Sequence, residues 1–149
     1  RHDIARRTVK QAGLTRFIAI CLLTGYVWLG ISGLSAMWFG GVPVGPQYDA
    51  TLHAFFLGFV FAMIFAHAPI IFPAVLGARM AYRPLFYAHV ALLQVTLVAR
   101  VIGDVSGWGA GRQVGGLLNA VTLLLFLVNT VSALQSPPER AGTTQARPL

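Results

Sequence analysis

ATLHAFFLGFVFAMIFAHAPIIFP, residues 50–73, contains no Asp, Glu, Lys or Arg, and its only titratable side chains are His53 and His67. A helix of about 20 such residues crosses the hydrocarbon core of a bilayer. Three more runs have that length and, apart from Arg16 and Arg100, that character: residues 16–38, 84–103 and 113–134. The chain as a whole is 56% hydrophobic and only 10% charged, with a mean hydropathy of +0.71. These numbers predict an all-α integral membrane protein, a bundle of four transmembrane helices covering residues 16–134. Residues 1–15 form a basic lead and residues 135–149 a polar tail of disordered composition.

The formal net charge of +7 does not point to nucleic acid, because the basic residues follow the membrane. Arg1, Arg6, Arg7, Lys10 and Arg16 precede the first span, Arg79 and Arg83 lie between the second and third, and Arg140 and Arg147 follow the fourth. Only Arg100 and Arg112 fall at the other face. The positive-inside rule then places both ends in the cytoplasm, in what reads as a bacterial inner membrane. Lipid and other membrane subunits are the expected partners.

No secretory leader is visible, since the first span is too long and lacks a small-residue cleavage site. The chain opens on Arg1 rather than Met, as a trimmed product or part of a longer protein would. Cys21, alone, has no intrachain disulfide partner and reads as a small apolar side chain. The first span carries Gly25, Gly30, Ser32, Gly33, Ser35 and Ala36, which suits close helix packing in lipid. Asp49 is placed to cap the second span. Pro69 and Pro73 should bend or end it just after His67.

Polar groups inside spans are costly, so they mark candidate sites. On an unbroken α-helix the fourteen residues from His53 to His67 turn through about 1400°, leaving the two about 40° apart in azimuth and about 21 Å apart in height. One face would carry both. On the third span His89, Thr96 and Arg100 form a second stripe, with His89 at the depth of His67. On the fourth, Asn119, Thr122, Phe126 and Asn129 gather on one face that should point inward.

The H-x13-H spacing resembles the haem helices of membrane cytochromes b. A haem b held between His67 and His89 as axial ligands is the expected cofactor site. His53 would be a further metal ligand or polar anchor, and Arg100 a propionate partner. Asp49 with His53, and Arg100 with Asp104, are i,i+4 pairs expected to face each other near the outer surface. Met37 lies at the level to ligate opposite His53.

HAFFLGFVFAMIF has the form H-A-x3-G-x4-M-I, and with the basic turn after it and the later LVARVIGD it resembles the NnrS family of bacterial polytopic membrane proteins. The likeness covers residues 50–105. It implies haem and copper, a link to nitric oxide stress and denitrification, His53 as the histidine carried over, Gly58 as a close-packing position, and Met63 and Ile64 as lining.

Hydrolytic catalysis has no support: the sequence holds no GxSxG, no Cys-His pairing and no carboxylate dyad. A zinc site wants four close ligands, whereas the three membrane histidines lie at two depths. The expected function is a haem b-binding membrane protein in electron transfer or nitric-oxide-related redox chemistry. Two rivals are a non-catalytic accessory subunit of a respiratory or photosynthetic complex, and a proton or ion conduit through His53, Arg100 and Asp104.

Overall fold

The computed structural model describes residues 13–41 and 43–135. Most of the basic lead and of the polar tail lies outside them. Helix α1, Leu14–Trp38, is followed by a turn in which Gly40, Gly41 and Gly45 take positive φ. The second span is one continuous helix in three parts: α2 (Pro46–His53), a π-helical segment (Ala54–Val60) and α3 (Phe61–Leu76). Helix α4, Phe86–Ser106, turns at Gly107, whose φ of 73° is left-handed. Helix α5, Gly109–Ala133, returns. Two-residue strands β1 (Arg79–Met80) and β2 (Leu134–Gln135) pair antiparallel and tie the α3–α4 turn to the end of α5.

All four expected spans are present, long and apolar enough to cross a membrane. Only 28 to 39% of each span's most apolar window is buried within the bundle. The outward faces are therefore apolar too, as on Leu34, Val75, Leu117 and Val128. Water would not tolerate that much exposed hydrocarbon on one small protein, whereas lipid requires it. The chain is a multi-pass membrane protein.

Local chemistry moves both boundaries of the second span from their expected places. Pro46 occupies the first helical turn, where its missing N–H costs nothing, so Gly45 rather than Asp49 holds the N-cap position. Asp49 sits within the first turn, still favourable to the helix dipole. Pro69 and Pro73 do not end the span: α3 runs through both and stops at Gly77 in the left-handed region.

The π-segment is the departure with the largest effect. The Phe61 N–H reaches back five residues to the Phe56 carbonyl, so this turn takes one residue more than an α turn. One extra residue removes about 100° of rotation. His53 and His67 therefore end up about 140° apart in azimuth, not about 40°. They do not share a face.

Two packed regions hold the bundle together. Near the end that carries the chain's first and last described residues, Phe17, Cys21, Phe65, Phe86, Val90, Leu93 and Phe126 form the main core. Cys21 is fully buried there as an apolar filler. Further along, Trp28 packs on Ala54 and Leu97. Helices α4 and α5 approach closely because Gly103 and Gly115 let the opposing backbone come where a Cβ would sit. In α1 only Gly25 is used this way, against Met63 and Ala62, whereas Gly30 and Gly33 face open space.

Candidate functional site

His89 on α4 is 1% exposed. Four phenyl rings enclose it, with centroids at 4.8 Å (Phe65), 5.4 Å (Phe126), 6.0 Å (Phe86) and 6.3 Å (Phe17). Neither ring nitrogen has a hydrogen-bond partner among the described residues. Its neighbours come from α1, α3, α4 and α5, so the imidazole is the centre of the core rather than the wall of a cleft.

His67 is turned the other way. It lies exposed on α3, and its Nδ1–H donates to the Met63 carbonyl at 2.7 Å. The expected axial pair is thus not brought together: the depths match, but His89 points into packed phenyl rings and His67 points out of the bundle. A haem lying between α3 and α4 does not fit this arrangement. Equal depth constrains height only; within α3 it is Phe65 and Ala66 that face the core, which turns His67 outward.

His53 is half-buried at the end of α2, and its Nδ1–H donates to the Asp49 carbonyl at 2.7 Å. A carbonyl can only accept, so in both histidines the proton is on Nδ1 and the lone pair on Nε2. Metal-ligating histidines commonly have this form, one nitrogen anchored to a carbonyl and the other free. Met37, expected as a ligand opposite His53, is 81% exposed. Of the residues carried by the family likeness, Gly58 is a close-packing position indeed, with Trp28 lying against its bare backbone.

The charged groups do meet. Arg112 on α5 contacts Asp49 at 2.6 Å and Asp104 at 3.1 Å, while Arg100 reaches Asp104 at 3.2 Å and Asp49 at 3.8 Å. Arg100 also donates to the Arg112 carbonyl at 2.6 Å. Two carboxylates and two guanidiniums cancel, which lets the Asp104 carboxylate sit with no exposed surface. The sequence pairs Asp49, Arg100 and Asp104 correctly. It misses Arg112, which reads as a loop residue until the first turn of α5 carries it over α2 and α4.

Further polar contacts link the helices at mid-membrane. The Trp28 indole N–H donates to Gln94 Oε1 at 2.6 Å, joining α1 to α4. Sequence reading passes over this pair, although a tryptophan away from the interfacial belt needs a partner for its N–H and Gln94 is the one amide within the third span. Thr96 Oγ1 lies 2.8 Å from the Leu92 carbonyl and 2.6 Å from the Asn119 amide. One hydroxyl proton cannot serve both acceptors. The proton goes to Asn119 Oδ1, the shorter contact, and Asn119 Nδ2 has no partner among the described residues. The inward face expected on α5 is present: Asn119, Thr122 and Phe126 are buried, and Asn129 donates to the Leu85 carbonyl at 3.2 Å.

Among the described residues, no three His, Cys, Asp or Glu side chains lie close enough together to hold a metal ion. A family model described as a domain of unknown function, DUF8744, matches residues 1–135, and the chain belongs to that family. The match takes in all four spans and ends at β2. No curated protein and no solved structure matches the chain.

Proposed function

We propose that this member of the DUF8744 family is a multi-pass subunit of a larger assembly in a bacterial inner membrane. Both ends face the cytoplasm, and the histidine-bearing second span faces another subunit across a haem b. The orientation rests on nine of the eleven Lys and Arg residues falling at the termini or in the α3–α4 turn.

The observation that carries the reading is His67. The second span has 31 residues, about 46 Å of helix against a hydrocarbon core of about 30 Å. Centred in the membrane, it puts His67 about 5 Å inside the core. Ionisable side chains at such depth almost always face protein rather than lipid. His67 is exposed, with Nδ1 anchored and Nε2 free, so it would hold the haem iron from this chain, with a further ligand supplied by the neighbouring chain. Haem would bring one-electron chemistry, in electron transfer or in reactions of nitric oxide; the protein supplies ligation and a dry environment. His89 is not a ligand in this proposal, and copper is not part of it.

A reduced-minus-oxidised spectrum of the assembly, purified in mild detergent, tests this reading. A b-type α-band is expected, lost in His67→Ala and retained in His89→Phe. Its absence at full subunit occupancy removes the haem. The second reading, an accessory subunit without a cofactor, is favoured by the sealed state of His89. It predicts normal assembly, with no such band in the wild type or in either variant.

A further inference from the structure

His53 borders a surface groove of about 310 Å³ whose other walls are Leu52, Phe56 and Leu57. We infer that this groove binds a quinol-type lipid, a hydroquinone ring with an apolar tail, through a hydrogen bond from its hydroxyl to His53 Nε2 and packing on Phe56. The inference is independent of any haem at His67, because π-helical rotation puts the two histidines on different faces.

The donor–acceptor sense comes from the backbone. Nδ1–H is committed to the Asp49 carbonyl at 2.7 Å, so Nε2 accepts, and it has no partner among the described residues. A ligand must therefore bring a donor. Asp49 is itself fixed by Arg112 at 2.6 Å, which holds the turn that orients the imidazole.

Charge excludes an ion. The cluster of Asp49, Asp104, Arg100 and Arg112 beside the groove is balanced, so it offers no net attraction to an anion or a cation, and a neutral ligand fits best. Depth points to an amphiphile. His53 lies about 10 Å along the helix from Pro46, within a few ångströms of the edge of the hydrocarbon core when the span is centred. A polar head at His53 and a tail running inward past Leu57 match that position.

The aromatic wall selects a ring over a simple alcohol. Phe56, three residues on from His53, is 52% exposed. It is braced from behind by Phe55, edge to face at 5.1 Å. A hydroquinone ring can stack on that free face, as aromatic pairs prefer. The π-segment begins at Ala54 and sets where Phe56 and Leu57 stand relative to His53. Such segments recur at functional sites.

The test is calorimetric titration of the full chain in lipid nanodiscs with a decyl-substituted hydroquinone, its oxidised quinone, and 1-decanol. Saturable binding of the hydroquinone is expected, with the quinone at least about tenfold weaker because it has no hydroxyl to donate. His53→Ala and His53→Phe should each weaken hydroquinone binding by about tenfold and remove its preference over the quinone. Phe56→Ala should weaken it severalfold, and His67→Ala should leave it unchanged. Each variant is compared at an unaltered thermal midpoint, with His53→Gln, which keeps an acceptor, as the conservative control retaining the preference. Equal binding by the His53 variants, or 1-decanol competing as well as the hydroquinone, would overturn the inference.

Discussion

Trp28 and Gly58 are in direct contact, the indole lying on backbone that a side chain would otherwise cover. The same indole donates to Gln94 on α4, so one residue of α1 meets the π-segment and a third helix at once. Gly58→Ala should push the ring aside and destabilise the bundle by about 1–3 kcal/mol. Thermal unfolding in detergent measures this, and the cost should shrink in a Trp28→Ala background, where the obstructing ring is gone.

Asp104 faces two guanidiniums and has no exposed surface. Asp104→Asn should destabilise by about 3–5 kcal/mol, because it leaves Arg100 and Arg112 sharing only Asp49. The triple change Asp104→Leu, Arg100→Met, Arg112→Gln should recover part of the loss, but Asp49 then becomes the group lacking a partner. Adding Asp49→Asn should recover more. An unchanged midpoint in Asp104→Asn would show that the cluster contributes nothing to stability.

His89→Phe should hold or raise the thermal midpoint, since it exchanges an imidazole with two unpartnered nitrogens for a ring matching its four phenyl neighbours. His89→Ala should lower it by about 2–4 kcal/mol through the cavity left behind. If His89→Phe lowers the midpoint as much as His89→Ala, the nitrogens have partners and the core assignment fails.

Thr96 and Asn119 should show a coupling of about 0.5–1.5 kcal/mol in a double-mutant cycle of Thr96→Val and Asn119→Leu, the range of hydrogen bonds between membrane helices. Additive losses would mean that the two side chains act separately.

Deleting one residue from the π-segment, such as Phe55, should convert it to α-helix and leave His53 and His67 still about 140° apart, because thirteen α-helical steps turn through the same angle of about 1300°. Spin labels at the two histidine positions should then keep nearly the same separation, and a large change would show that the segment does not carry a single inserted residue.

The four spans were legible because lipid demands long apolar runs, and so was the inward face of α5, because Asn119, Thr122 and Asn129 mark it chemically. The second span gives no such mark. Its outward and inward faces are both largely apolar, leaving two histidines as the only titratable guides, and the azimuth computed from them assumes an unbroken α-helix. The π-segment that breaks the assumption has no local sequence code; it accompanies the meeting of Gly58 with Trp28, two residues thirty positions apart. Arg112 escaped for a similar reason. Its role depends on α5 starting at Gly109, four residues earlier in the chain than the apolar run that begins at residue 113.

The four spans are also unequal, 25, 31, 21 and 25 residues. At about 1.5 Å per residue the second exceeds the third by about 15 Å. Hydrophobic mismatch is set by apolar length rather than helix length, and it costs a fraction of a kcal/mol per Å. The apolar part of the second span, residues 50–73, is about 36 Å long against a core of about 30 Å, so the lipid around it is strained by that smaller excess. Helix tilt relieves part of that strain, and a neighbour of similar length seated against the same side would relieve the rest, which makes membrane thickness itself a variable in this protein's assembly.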